Sequence, residues 1–357
     1  MIPSDLADIP FVDLRDGGPV LQAERSAARA RALRDDCLSF FPGATALLLP
    51  ALDALARRWL VRSRSPYIGE IERIAGGLGF SGVWFLNGSY QWGCTALSRV
   101  EGGQPWLVRS LDWPFPGLGR HVEIAHKRGP AGDFHSVTWP GYVGTLTGMA
   151  AGRFAACINQ APLRRRTRHP WLRLFDLAAN AVATWRVRDI PPDQLLRQVF
   201  ETCSDFAAAR HALETTPVAR PVIFSLVGTK ESEACVIERT EDGFVTHAGG
   251  GSAANDWQEP RPAWEARVGG DMLLSSRFDE AAANSRARQE ALLAYRGSLQ
   301  DTPFAWLSEP VLNRYTRLGV EMCPARGLLR VTGYEPLASG APASAVTRAA
   351  MLENLAA

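Results

Sequence analysis

Apolar side chains recur at helical spacing through the first ninety residues, then give way to short runs separated by Gly and Pro. Ile9 to Leu14 starts extended and reads as a strand. Gln22 to Phe41, rich in Ala, Arg and Leu, reads as a helix. Ala44 to Val61 reads as a second, with Leu47, Leu48, Leu52, Leu55 and Leu60 on or near one face and Pro50 kinking or restarting it. Ser65-Pro66 opens a third helix through Glu70, Ile71 and Ile74, ending near Gly76-Gly77. A stripe of this kind ordinarily packs inward, so these leucines are expected to face the core.

Further along, Val122 to Lys127, Phe134 to Trp139 and Phe154 to Ile158 read as short strands of a layered antiparallel sheet. Trp171 to Val187 and Pro192 to Ala208 return to helix. Pro221 to Val227, Ala234 to Glu238 and Gly243 to His247 are strands again, and Ala283 to Arg296 is a helix. The runs Pro310 to Arg317, Leu328 to Gly333 and Val346 to Leu355 close the chain. No repeat or low-complexity segment interrupts this order.

Between the two regimes lies a stretch with chemistry in it. Cys94 follows a glycine at the head of an apolar run, and Glu101-Gly102-Gly103-Gln104 reads as a hairpin turn. The run after the turn ends in Arg109 and Asp112. Antiparallel pairing about the turn sets Cys94 opposite Leu111 and brings Arg109 and Asp112 beside the thiol. A nearby guanidinium favours thiolate, yet no His lies within twenty residues upstream to act as base. Cutting the Gly93–Cys94 bond would supply one, a free α-amine on the same residue, with an unperturbed pKa of about 7.7–8.0. From the hairpin alone, a buried structural cysteine at a strand start is the commoner outcome.

Composition narrows the classes. The chain has 357 residues, 46% hydrophobic and 21% charged, enough for a sizeable core in one large domain or two. A formal net charge of +2 does not suggest a nucleic-acid binder. Six scattered cysteines without a CxxC pair suggest neither a zinc site nor a disulfide framework. The first residues show no basic and apolar leader, and the apolar run Ala44 to Leu55 is too short to span a bilayer, so a cytoplasmic protein is expected. Asn87-Gly88-Ser89 matches a glycosylation sequon but reads as an ordinary turn. Gly249-Gly250-Gly251 lacks the Lys-Ser/Thr of a phosphate loop. Arg164-Arg165-Arg166-Thr167-Arg168-His169 reads as a solvated loop, or as a patch greeting a carboxylate, phosphate or lipid headgroup.

Four motifs in order carry a resemblance. Cys94-Thr95 followed by Arg109-Ser110-Leu111-Asp112 resembles the nucleophile signature of N-acylethanolamine acid amidase and acid ceramidase, in the choloylglycine hydrolase group of N-terminal-nucleophile hydrolases. Trp139-Pro140-Gly141-Tyr142-Val143-Gly144-Thr145-Leu146-Thr147-Gly148 resembles that group's Gly-Tyr-Val-Gly segment. Asn255-Asp256-Trp257 resembles its Asn-containing segment, and Asn284-Ser285-Arg286 takes the place of Asp-Asp-Arg. The order holds over about residues 8–290.

The resemblance implies an α+β fold, a four-layer αββα sandwich with a helical N-terminal segment. Residues 1–93 would be that segment and 94–357 the catalytic domain, separated by self-cleavage. It implies hydrolysis of a non-peptide amide bond in a small N-acyl amide, without metal or organic cofactor. Cys94 is the implied nucleophile, with Arg109, Asp112, Asn255 and Arg286 catalytic, and Trp113, Tyr142 and Gln160 beside the substrate. The Cys94 amine, positioned by Asp112, would take the thiol proton, and the Asn255 amide would donate to the oxyanion. Arg277 and Arg288 compete with Arg286 for the distal-arginine position. Apolar surface beside the mouth would help lipid substrates enter, through transient membrane contact. One departure stands out. Asn159-Gln160 replaces an Asp-Glu or Asn-Glu step, and glutamine keeps the hydrogen-bonding shape but cannot shuttle a proton. The alternatives are an acyltransferase like the penicillin acyltransferases, or a ligand-binding protein whose catalysis has lapsed.

Overall fold

Two β-sheets stack face to face with helices on both outer surfaces in the computed structural model. It describes residues 6–41, 43–89, 93–167, 169–259, 261–266, 278–338 and 340–355. Among the described residues the first sheet has eight strands, and its order begins β1 (Phe11–Asp13), β4 (Glu123–Gly129), β5 (Gly132–Thr138) and β6 (Thr147–Ala150). It continues through β7 (Phe154–Gln160), β9 (Val222–Val227), β10 (Ala234–Arg239) and β11 (Phe244–Ala248). The second sheet has seven, in the order β12 (Gly251–Ala253), β2 (Gly93–Glu101), β3 (Gln104–Asp112), β14 (Thr316–Cys323), β15 (Leu328–Pro336) and β16 (Ala343–Ala345), with β17 (Ala350–Leu352) also on β15. A two-stranded ribbon joins β8 (Leu163–Arg164) to β13 (Trp264–Glu265).

The helices complete four layers. Before the central hairpin come α1 (Gly18–Arg25), α2 (Ala27–Leu38), α3 (Leu49–Leu60), α4 (Ile68–Leu78) and α5 (Val83–Gly88). After it come α6 (Arg173–Arg186), α7 (Pro192–Thr202), α8 (Phe206–Thr215) and α9 (Phe278–Ala294). Helices α7 and α8 pack on the first sheet, α9 packs on β2 and β12 of the second, and β2 and β3 meet β7 and β9 across the interior. The αββα sandwich expected from the resemblance is therefore the fold.

The central hairpin has the expected register, with Cys94 opposite Leu111 and Glu101 opposite Gln104. Gly102 and Gly103 both take positive φ, +59° and +74°, as a two-residue hairpin loop requires, and only glycine does this without strain. Because strand side chains alternate, Cys94 and Ala96 share one face with their partners Leu111 and Arg109. That face joins the main core with Phe224 and Cys157, whereas Leu97, Trp106 and Val108 pack on the other side with Leu292. Arg109 thus lies diagonal to Cys94 inside the sandwich.

The N-terminal segment departs from its reading in several places. The first helix breaks at Ser26 into α1 and α2, and Pro50 falls in the first turn of α3, so it restarts the helix there. Helix α4 runs past Gly76-Gly77 to Leu78 and stops on Gly79 at φ +66°. Leu60 is buried, but Leu47, Leu48, Leu52 and Leu55 are exposed, contrary to the expected inward stripe. Asn87, expected in a turn, lies in α5 and is buried. β1 adds to the first sheet parallel to β4, and Gln22 Nε2 donates to Glu123 Oε2 at 2.8 Å, so this segment is built into the sandwich.

Candidate active site

The site forms where β2 and β3 turn their inner faces toward β7, with α9 closing it from outside. Arg109 Nη2 donates to Cys94 Sγ at 2.9 Å and to the Ile158 carbonyl at 3.1 Å. Its Nη1 donates to the Leu146 carbonyl at 3.1 Å and to Thr147 Oγ1. The guanidinium is thereby fixed by acceptors on three strands or their approaches, with no freedom to leave the sulfur. Both Cys94 and Arg109 are fully buried.

The Cys94 nitrogen is held differently from expectation. It donates to Asn255 Oδ1 at 2.8 Å. Asp112 instead accepts from Asn313 Nδ2 and from Thr316 Oγ1, each at 2.9 Å. Asn255 Oδ1 also accepts from Arg288 Nη2 at 3.0 Å, while Asn255 Nδ2 donates to the Gln160 carbonyl at 2.8 Å. Two donors on Oδ1 and one acceptor on Nδ2 fix which way the amide points. Its oxygen faces the nucleophile's nitrogen, and one of its two Nδ2 hydrogens is engaged by the Gln160 carbonyl.

Arg288 replaces Arg286 as the arginine of the site. Arg286 is exposed and its Nε donates back to the Ala282 carbonyl. Arg288, two residues on, is buried, donates to the Cys94 carbonyl and Thr95 Oγ1 at 2.8 Å each, and lies 3.6 Å from Asp112 Oδ2. The reason is helical phase. Ala281, Ser285, Arg288 and Leu292 form the buried line of α9, and Arg286 falls on the opposite side. Arg277 lies outside the described residues.

Trp113 is buried, and its backbone N–H donates to the Tyr315 carbonyl at 2.8 Å. Tyr142, expected beside the substrate, instead donates its hydroxyl hydrogen to Asp193 Oδ2 at 2.8 Å inside the core. Two cavities flank the site. A larger one of about 470 Å³ is lined by Gln160, Arg164, Trp59 and Trp185 among others. A smaller, apolar one of about 70 Å³ includes Trp113, Phe115 and Leu33. Phe85 and Ser89 line both, and Cys94 lines neither. Phe85 and Ser89 are thus common walls of the two spaces.

Electrostatics follow from the burial of Cys94. Burial pushes the Cys94 thiol up from its ordinary value, Arg109 and Arg288 pull it down, and Asp112 adds to the rise. Burial also lowers Arg288, with Asp112 opposing. Two guanidiniums beside one carboxylate leave the surroundings of the sulfur net positive, suited to a developing anion once water enters. Among the described residues, no cluster of His, Cys, Asp and Glu could hold a metal ion.

Comparison with known proteins adds a second line. The N-acylethanolamine-hydrolyzing acid amidase of Oryctolagus cuniculus is 28% identical over 186 residues, 50% of this chain and 49% of that protein. Its relatives are acid amidases. Acid ceramidase of Mus musculus is likewise 29% identical over 119 residues, 33% of this chain and 28% of that protein. The chain spans about half the length of the amidases it matches. A solved Caenorhabditis elegans ortholog of N-acylethanolamine-hydrolyzing acid amidase covers 65% of this chain and 93% of its own, at 16% identity and TM-score 0.47. No protein-family profile matches the chain.

Sequence reasoning missed Asn313 and Thr316, which approach Asp112 from two hundred residues away with no local signal. Arg288 was within reach, because the small and apolar residues at 281, 285 and 292 mark the buried line on which it sits. The basic run is only partly a solvated loop. Arg164 pairs with Glu241 at 2.7 Å and lies over the Trp264 ring at the larger cavity, and Arg168 lies outside the described residues.

Proposed function

We propose that this protein is a cysteine N-terminal-nucleophile amidohydrolase that cuts its own Gly93–Cys94 bond and then hydrolyses N-acyl amides. The observation that carries the reading is the Arg109 Nη2 to Cys94 Sγ contact at 2.9 Å, on a residue whose nitrogen rests on Asn255. In self-cleavage the Cys94 sulfur attacks the Gly93 carbonyl carbon. The C–N bond breaks, a thioester forms, and the thiol proton passes to the nitrogen. Water then adds to that carbonyl, returning the thiol and leaving a Gly93 carboxylate.

In turnover the freed amine, oriented by Asn255 Oδ1, takes the thiol proton as the sulfur attacks the substrate carbonyl. The second Nδ2 hydrogen of Asn255 and a backbone N–H hold the oxyanion. The protonated amine product leaves, and water releases the acid from the thioester. Arg288 and Asp112 keep the nucleophile's backbone and its amide partner in place.

An apolar acyl group suits the surroundings. Helices α3 and α6 both line the larger cavity and pack together, with Trp59 Nε1 donating to the Thr184 carbonyl at 3.1 Å. Leu52 and Leu55 of α3, on the rim of that cavity, and Leu174, Phe175 and Val182 of α6 are exposed. Such a surface supports transient contact with a lipid surface that delivers the substrate. Among the described residues no helix is long and apolar enough to cross a membrane.

The test is an amide-library hydrolysis screen on wild type beside Cys94→Ala, with and without an acceptor amine. Fatty-acid release that disappears in Cys94→Ala supports the hydrolase. Acyl transfer outrunning hydrolysis replaces it with the transferase.

A further inference from the structure

The segment that must be cut and the group that must cut it are held by one stretch of chain. Asn87, in α5 and six residues before Gly93, is 1% exposed. Its Nδ2 donates to the Gly141 carbonyl and to the Val83 carbonyl at 2.9 Å each, and its Oδ1 accepts from the Val143 N–H at 2.8 Å. Three and four residues beyond Val143, Leu146 and Thr147 hold the Arg109 guanidinium that touches Cys94 Sγ.

That stretch is itself rigid. Tyr142 Oη and the Thr145 N–H both donate to Asp193, and Arg197 Nη1 donates to the Val143 carbonyl at 3.3 Å. A Cβ on Gly144 would run into the Asp193 carboxylate, so the close approach requires glycine there. At its other end, α5 is held by Asp53 Oδ1, which accepts from the Phe85 N–H at 2.9 Å.

The geometry points to Asn87 as a positioning residue for self-cleavage, anchoring the leader to the Gly141–Thr147 stretch that also fixes Arg109. The inference rests on the proposed cleavage at Gly93–Cys94. The attack joins the Gly93 carbonyl carbon, at the end of the leader, to the sulfur that Arg109 touches, and a displacement of about 1 Å in such a reaction can cost roughly 10²-fold in rate. Once the bond is cut, turnover needs the leader as a wall of the larger cavity, through Phe85, Gly88 and Ser89, but no longer needs Gly93 aligned with the sulfur. Asn87 therefore matters more to processing than to hydrolysis by the processed enzyme, a split that a merely structural asparagine does not produce.

The experiment follows conversion of the full chain by intact mass for wild type, Asn87→Ala and Asn87→Asp, then measures kcat/KM per cleaved molecule on an acyl amide. Buried against two carbonyls, the Asn87→Asp side chain is held protonated, keeping the acceptor for Val143 and one O–H donor, so it reports even where the alanine variant fails to fold. Expected are a 10- to 100-fold slower cleavage in Asn87→Ala, a smaller slowing in Asn87→Asp, and a fall in kcat/KM per cleaved molecule at least about threefold smaller than the fall in cleavage. Cleavage at the wild-type rate in a folded variant overturns the inference. So does a fall in kcat/KM that matches the fall in cleavage. A wild type that is never cut overturns the underlying reading instead, and the inference with it.

Discussion

Arg109 donates to the sulfur of Cys94 at 2.9 Å from a diagonal position in the same hairpin. The pair is preassembled in the uncut chain, and its other partners are the carbonyls of Leu146 and Ile158. Replacing Arg109 with Met removes the donor and leaves those carbonyls buried without it. A loss of about 3 kcal/mol in urea unfolding is expected, from unsatisfied buried acceptors at about 1–3 kcal/mol each. Cleavage should fall at the same time. Wild-type stability with normal cleavage would show that the contact does neither.

Arg286 and Arg288 separate cleanly. Arg286→Gln sits on the exposed side of α9 and should leave stability within about 0.5 kcal/mol and cleavage unchanged. Arg288→Gln removes the donors to the Cys94 carbonyl, Thr95 and Asn255 and leaves Asp112 without its nearby cation. Breaking a buried pair of this kind costs about 3–5 kcal/mol. Thermal unfolding and cleavage time courses on both variants decide the assignment, and the reverse ranking would restore Arg286.

Gln160 stands where the resemblance places a proton-carrying glutamate. Its carbonyl holds Asn255, and its side chain lines the larger cavity. Gln160→Glu supplies a titratable group without changing length and should speed self-cleavage about tenfold or more, within the range of general acid–base assistance. Time-resolved intact mass on the two proteins measures it. Equal rates would mean that this position takes no part in proton transfer.

Lys127 gives a pH signature to the fold. It is buried, with no hydrogen-bond partner for Nζ among the described residues, and burial takes its pKa down to about 7, with Arg197 adding and Glu201 and Glu70 opposing. In the unfolded chain the amine keeps its proton to about pH 10.4. Above pH 7 the unfolded state therefore binds more protons, and stability rises with pH by up to about 1.4 kcal/mol per unit. Below pH 7 the penalty is fully present. Urea midpoints should climb from pH 7 to 9 in wild type, and Lys127→Met should be more stable at pH 7 and lack that climb. An identical climb in the variant would assign it to another group.

What was legible in the sequence was local. The Gly102-Gly103 turn fixes hairpin register by backbone geometry alone, so Cys94, Leu111 and Arg109 could be placed without the rest of the fold. Alternation then decided which faces met. Illegible features depended on contacts between distant segments. The nitrogen of Cys94 rests on Asn255, across 161 residues, while Asn313 and Thr316 donate to the Asp112 carboxylate. The exposed leucines of α3 look amphipathic in sequence. Nothing in their spacing says that the stripe would border a cavity instead of the core.

The most direct measurement is intact mass of the purified full chain, wild type beside Cys94→Ala. The account predicts that wild type separates into residues 1–93 and 94–357, with Cys94 at a new N-terminus, and that Cys94→Ala stays whole. A wild-type chain that stays whole, with Cys94 inert toward iodoacetamide in the native protein, would contradict it and favour a ligand-binding protein without catalysis.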